Sequence, residues 1–529
     1  MLVFKNANVF CENEFRKKII CVEDSKISHI FSQNDYDEFK AKLTKQDSYN
    51  IIESSILDSK NSKYNNSEFI ESSKKDSKNI ESKHYKNHNL DSKKLENIES
   101  KDSKNTNIDC HDLPNKFAKS RNDAKTFADS KDSKNHNFIE SKPTIFEINC
   151  ENLCIIPSCI DINIFPLDKK MNAKTIHTLS QKALNGGVST LFLNPYTTPA
   201  INNEAMIALL QSINNSELVN IFSLIPSTIA PENEAIKNTI NSSDKLSNID
   251  TLYALNKDFN NISSAIFCNS YIGSNLLYQA MQYAKMLNVP LCAFPFDFNI
   301  EQGVAYESAF ARGLGLPMIT PIGQIKEVAK IKEMAKFLDL KVILMSLNIA
   351  YCFDMVCHER NIFTQVGLPH LIFSERDIKN YDTRYKIMPP LLTRSKKEKL
   401  LKKLVEGKIS LLSSMQNAVS KQFKEQVFEF APFSVEGLEG FFSIAYTHLV
   451  RSGLITLSHL LELVSGNASD LMGLNKGRLE ANRDADFMII DLDSKYVINN
   501  PLSPYHNMEV YGILHSVVIN GHICDVKNS

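Results

Sequence analysis

The residues best spaced for metal chemistry lie in YCFDMVCHER, where Cys352, Asp354, Cys357, His358 and Glu359 gather thiols, an imidazole and carboxylates in one short stretch. Zinc accepts all three ligand types, yet a structural zinc site pairs two ligand sets, and Cys-x4-Cys-His supplies one. A loop with reduced cysteines and an exposed histidine is the expectation. His448 and His459 fall in helix-like stretches, where packing is expected over ligation. Nucleophilic and phosphate chemistry find no support: there is no nucleophile elbow, and GLGLPM lacks both the spacing and the Lys-Ser/Thr of a phosphate loop. The stretch CIDINIFPLD, residues 159 to 168, ends an apolar run and holds Asp161 but no histidine.

The chain that must position these groups has 529 residues, 43% of them apolar, which fits a large globular protein of one to three domains. A formal charge of -1 gives no general attraction to nucleic acid or to an acidic membrane. No run approaches the ~20 apolar residues of a membrane-spanning helix, and MLVFKNANVFCENEF lacks the pattern of a secretory signal, so a cytoplasmic location is expected. The 11 cysteines show no framework spacing and read as reduced, mostly as small core residues.

Residues 1–39 alternate apolar and polar in short bursts and read as the first part of a small β unit. From 40 to 143 an acid-Ser-Lys triplet recurs among Asn, Lys and Ser; such a segment buries too little apolar surface to offset its ordering entropy, and a disordered insertion is expected. Residues 144–157 are read as a strand returning into a barrel spanning 158–476. Expected strands cover 153–164, 188–193, 219–225, 264–268, 290–294, 341–347 and 408–413, with amphipathic helices such as 173–184 and 322–338 between them. Strand-helix alternation at this length predicts an α/β fold, a closed (β/α)8 barrel of the TIM type. Residues 477–529 return to β bursts, which predicts a β-sandwich built from both chain ends.

Taken in order, IIPSCIDI, ALNGGVSTLFLNPYTTP, YAKMLNVPLCAF, GLGLPMITPIGQIKEVAKIKEMAKFLDLKVILMS, PHLIFSERDIKNYDTRYKIMPPL, APFSVEGLEGFF and GRLEANRDADFMIIDLD resemble the dihydroorotases and their allantoinase and hydantoinase relatives in the amidohydrolase superfamily. The resemblance covers almost everything outside the insertion. It implies a barrel holding one or two zinc ions at the carboxyl ends of its strands, where metal-bound hydroxide opens a cyclic amide. The family's Asp-x-His-x-His-x-Arg then falls on Asp161, Asn163, Phe165 and Leu167, without either histidine or the arginine. The other positions the family uses fall on Asn269 and Ser270, Phe294, Ser346, Pro369 followed by His370, Met388, and Ser414-Met415-Gln416. Phenylalanine and methionine offer no ligand suited to a zinc-bound water, so no zinc is expected.

Two readings of the barrel mouth stay open. Asp161, Asn194, Tyr196, His370, Ser414 and Gln416 would line a residual pocket for a small polar ligand, or Phe165, Phe294, Phe296 and Met415 would plug it. The favoured expectation is a dihydroorotase-like protein without catalysis, an oligomer serving as scaffold for an aspartate carbamoyltransferase catalytic chain in pyrimidine synthesis, a partner that the resemblance implies. The competitors are an active cyclic-amide hydrolase with a divergent site and a small-ligand sensor.

Overall fold

The computed structural model describes residues 1–45, 50–55, 144–229, 245–258, 265–269 and 272–526. In chain order the first strands are β1 (Leu2–Lys5), β2 (Asn8–Cys11), β3 (Glu14–Lys17), β4 (Ile19–Glu23), β5 (Lys26–Phe31), β6 (Asn50–Ser55), β7 (Thr144–Asn149) and β8 (Cys154–Pro157). Then follow β9 (Cys159–Ile164), β10 (Val188–Leu193), β11 (Asn220–Ser223), β12 (Ile225–Pro226), β13 (Ile266–Asn269), β14 (Leu291–Phe294), the short pair β15 (Ala305–Tyr306) and β16 (Met318–Ile319), β17 (Val342–Leu344), β18 (Ile362–Gly367) and β19 (Leu411–Ser413). The chain ends in β20 (Phe487–Val497), β21 (Glu509–Ile519) and β22 (His522–Asp525).

The strands from β9 to β19, the β15/β16 pair aside, form the barrel. All pair in parallel, in the orders β11-β10-β9 and β12-β13-β14-β17-β18-β19, with β11 and β12 as two halves of one strand broken at Leu224. The ring closes where Phe165 N–H donates to Gln416 O at 2.8 Å and Gln365 Nε2 donates to Ile162 O at 3.1 Å. Inside lie Ile160, Ile162, Phe192, Phe222, Phe267, Ile343 and Leu411, together with Ala468 and Met472 from the helix Asn467–Met472. Outside, helices such as Ala173–Asn185, capped where Thr175 N–H donates to Asn172 Oδ1 at 3.0 Å, bury Ile176, Leu179 and Leu184 against the strands.

Two sheets, β5-β4-β1-β7-β6 and β22-β21-β20-β8-β2-β3, make the sandwich from both chain ends. Its core joins Phe4, Val9 and Ile20 to Ile155, Phe487 and Val518, with the Phe4 and Phe487 rings edge-on at 5.1 Å. One buried charge organises the other face of the first sheet, where Val3, Ile19 and Ile145 pack with Tyr36. Glu147 on β7, 0% exposed, accepts from Tyr36 OH at 2.5 Å, Lys5 Nζ at 2.7 Å and Lys40 Nζ at 2.8 Å, which ties the helix Gln33–Lys45 to the sheet.

Several expectations need correction. The run 153–164 is two strands: β8 pairs with β2 and β20 in the sandwich, β9 pairs with β10 in the barrel, and Ser158 sits at the switch, its carbonyl held by Ser465 Oγ at 2.6 Å. Residues 144–157 therefore belong to the sandwich, through β7 and β8, rather than forming a return strand into the barrel. The boundary set for the insertion at residue 40 is early, because the helix runs to Lys45 and β6 pairs in parallel with β7 over all six of its residues. The remainder of that segment, 56–143, lies outside the described residues. Strand β18 was not expected, since Thr364 and Gln365 interrupt its apolar pattern.

Gly186 and Gly187, from ALNGGVST, lie where the barrel meets its neighbours. A Cβ on Gly186 would stand 2.0 Å from the Leu438 carbonyl oxygen, and Gly187 takes φ +74° with Met488 Sδ against it. Gly186→Ala is expected to lower stability by about 1–3 kcal/mol through overpacking, read as a lowered midpoint in urea unfolding.

Candidate functional site

The carboxyl ends of the barrel strands carry the expected positions, and three of them keep an unusual backbone. Asn163 near the end of β9, Ser346 after β17 and Met415 after β19 have φ of 74°, 53° and 58°, the left-handed region that non-glycine residues rarely occupy. These strand ends thus hold tightly defined turns. The side chains they hold are not those of a zinc site.

Asp161 is 0% exposed and lies at the β9/β19 seam. Its Oδ1 accepts from Ser413 Oγ at 2.7 Å, and its Oδ2 accepts from Ser414 Oγ and from Ser414 N–H, the latter at 3.2 Å. Burial pushes its pKa up to about 6 against the pull of the serine hydrogen bonds. Asn163 Oδ1 accepts from Asn194 Nδ2 at 2.7 Å, Asn194 Oδ1 accepts from Tyr196 N–H at 2.9 Å, and the Tyr196 hydroxyl meets Thr228 Oγ1 at 2.8 Å. Gln416 turns away from the barrel axis, its Oε1 accepting from the Gly437 and Leu438 N–H groups at 2.9 and 3.0 Å.

His370 is wholly buried in the short helix Leu368–Ile372, after the buried Pro369. Its Nε2–H donates to Pro389 O at 2.8 Å, Nδ1 has no partner, and burial lowers its pKa to about 4, so the ring is neutral. Met415 fills the space beside Gly367, where a Cβ would lie 1.8 Å from Sδ and 3.0 Å from His370 Nδ1. Met388, half-buried, precedes Pro389. Phe294 stacks on Phe296 at 5.9 Å and packs on the barrel interior, and Phe296 meets Phe298 edge-on at 4.7 Å. Phe165 lies under Lys169 Nζ at 4.8 Å, and Leu167 opens the short helix that follows. Asn269, half-buried, ends β13; Ser270 lies outside the described residues.

The structure therefore brings Phe294 and Phe296 together, with Met415 against Gly367 and His370 and Phe165 beside Lys169. The polar residues expected to line a pocket bond to one another or to backbone. Zinc with a bound water needs imidazoles and carboxylates converging on one point with free lone pairs. Asp161 already accepts from three donors, and among the described residues no three His, Cys, Asp or Glu side chains gather closely enough to hold a metal. These residues do not fit the implied zinc.

The 352–359 stretch is dispersed as well. Cys352 is buried with its thiol pushed up to about 12, Asp354 pairs with Lys403 at 2.8 Å and Lys408 at 2.7 Å, Glu359 pairs with Lys332 at 3.6 Å, and Cys357 is exposed. Among the described residues no ligand cluster surrounds His358. His448 Nε2 contacts Met508 Sδ at 2.9 Å, and His459 lies half-buried in the helix Leu457–Leu461. Sequence reading missed two buried lysines at the same barrel end, Lys386 and Lys424, 3% and 5% exposed. The apolar flanks of KIMPPL and KQFKEQVFEF were the available signal.

The comparisons agree with this architecture. The Amidohydrolase family profile matches residues 432–524. A probable dihydroorotase-like protein of Helicobacter pylori is 26% identical over 386 residues, covering 72% of this chain and 88% of its own. A dihydroorotase of Caldanaerobacter subterraneus is 25% identical over 395 residues, covering 72% and 88%. Among solved structures, the L-hydantoinase (dihydropyrimidinase) of Arthrobacter aurescens superposes with a TM-score of 0.66 at 14% identity, over 100% of this chain and 96% of that one, a likeness of fold. No helix among the described residues is long and apolar enough to cross a membrane. Family profile and relatives agree that the proteins this chain is similar to are the dihydroorotase-like group of the amidohydrolase family, and the solved structure agrees in fold.

Proposed function

We propose that the chain is a dihydroorotase-like protein that works without zinc and without catalysis, as a cytoplasmic scaffold whose outer surface does the work. The observation that carries this reading is the state of Asp161: its carboxylate is filled by Ser413 and Ser414, and the neighbouring strand ends present Asn163, Phe294, Ser346 and Met415. A metal-bound hydroxide needs a charge-rich, open coordination shell, and this set supplies one internally satisfied carboxylate and a neutral imidazole. Sandwich, barrel and strand-end turns are nonetheless retained, as a role in association would require.

The partner that the family resemblance suggests is an aspartate carbamoyltransferase catalytic chain, in pyrimidine synthesis, within an oligomeric assembly. Elemental analysis of the purified protein is expected to find zinc far below one ion per chain, with dihydroorotate hydrolysis no faster than in buffer. Stoichiometric zinc with turnover would establish the active cyclic-amide hydrolase instead. Co-purification with the carbamoyltransferase chain at native levels supports the scaffold, and its absence removes that partner. Saturable binding of a small neutral ligand at the barrel mouth, with no partner captured, would favour a sensor.

A further inference from the structure

Two segments leave the carboxyl end of the barrel after its last two strands, 378–390 beyond β18 and 417–436 beyond β19, and each sends a lysine into the other. Lys386 Nζ donates to the carbonyls of Phe428 at 2.7 Å and Glu429 at 2.9 Å and lies 5.6 and 5.0 Å from the ring centroids of Phe428 and Phe433. Lys424 Nζ donates to the carbonyls of Thr383 at 3.0 Å and Ser434 at 3.2 Å. The exchange extends to the backbone and a hydroxyl: Ser434 N–H donates to Lys386 O at 3.0 Å, and Thr383 Oγ1 donates to Lys424 O.

Among the described residues neither ammonium pairs with a carboxylate; their direct acceptors are carbonyl oxygens. The charges around Lys386 are Glu429 and Lys424, and those around Lys424 are Glu436, Asp382, Arg384 and Lys386. Three of these are already engaged: Asp382 with Arg384 at 2.6 Å, and Glu436 with Lys182 at 2.7 Å. Two cations thus share a nearly dry crossing with little opposing charge, an arrangement that costs free energy unless the crossing opens to water.

We infer that Lys386 and Lys424 form a proton-controlled latch that sets how firmly the 378–390 and 417–436 segments close over the end of the barrel. Carbonyls and aromatic faces give the latch its geometry, and the proton count gives it its strength. Burial lowers both lysines to about 8, against about 10.4 for a lysine in water. The closed crossing therefore binds fewer protons than the open one between those values. It is tightest above the higher value and loosens as pH falls through about 8. The inference holds whether or not the barrel turns over a substrate, so it stands apart from the proposed function.

Hydrogen exchange of the full chain followed by mass spectrometry across pH 7 to pH 9, corrected for intrinsic exchange, tests it. In peptides covering 378–390 and 417–436, protection is expected to rise by about tenfold per lysine over that range, while peptides from the helix Ile322–Leu338 stay flat. In the double variant K386M/K424M the pH dependence should vanish. If that variant fails to fold, K424R alone, which keeps its charge throughout, should remove about half of the logarithmic rise. Flat protection in the wild-type segments, or a rise shared by the Ile322–Leu338 control, overturns the inference.

Discussion

Asp161→Ala is expected to cost about 3–5 kcal/mol of unfolding free energy at neutral pH, because it leaves Ser413 Oγ, Ser414 Oγ and Ser414 N–H without an acceptor at a seam that excludes water. The seam is where the first and last barrel strands meet, so the loss should appear as reduced cooperativity of the barrel as well as a lower midpoint. Asp161→Asn keeps one acceptor oxygen and should cost about 1–2 kcal/mol. The pH series carries the sharper test. The folded pKa of Asp161 is about 6, above its unfolded value, so its favourable contribution is complete below the unfolded value and is lost as pH rises through about 6. The stability advantage of wild type over the asparagine variant should therefore shrink by about 1–2 kcal/mol between pH 5 and pH 8. An advantage that grows over that range would contradict the carboxylate geometry.

Glu147 is expected to behave in the opposite sense. Burial alone would raise its pKa, but hydrogen bonds from Lys40, Lys5 and Tyr36 outweigh burial and hold it down at about 2. Its contribution is complete above the ordinary glutamate range and is lost as pH falls toward 2. Glu147→Ala should destabilise the protein by about 2–4 kcal/mol at pH 7; part of that is tempered because the Lys5 and Lys40 side chains, 20% and 30% exposed, reach water. Between pH 7 and pH 3 the wild type should lose about 2 kcal/mol more than Glu147→Gln. Proteolysis at the helix Gln33–Lys45 would report the same event locally, since Tyr36 and Lys40 are its anchors.

The opposite signs have one physical origin. At the barrel seam only neutral donors face the carboxylate, and desolvation dominates. In the sandwich two ammonium groups and a phenol face it, and pairing dominates.

Where a periodic pattern was complete, the sequence could be read to the residue: β10 and the helix Ile322–Leu338 fall at their expected bounds. Where an apolar run served two domains, as from 153 to 164, nothing in its pattern marked the switch at Ser158, because both halves are buried. Strand β18 was illegible because Thr364 is satisfied by a distant segment, its Oγ1 donating to Lys408 O at 2.8 Å just before β19, so a polar residue costs little inside a buried strand. At the candidate site the resemblance pointed to the strand ends, and residue types led to the expectation that they hold no zinc. Residue types could not show how the remaining polar groups pair, nor that Lys386 and Lys424 turn inward, since a lysine is ordinarily a surface residue.

The parallel pairing of β6 with β7 has a consequence for the long polar stretch between them. The chain leaves that pair at Ser55 and returns at Thr144, the partner of Asn50, so exit and return lie about one six-residue strand apart, roughly 17–20 Å. A few residues of extended chain would bridge that gap. The distance between the two strand ends therefore does not account for the number of acid-Ser-Lys triplets between them. The length of this stretch is set by something other than the span it has to cover.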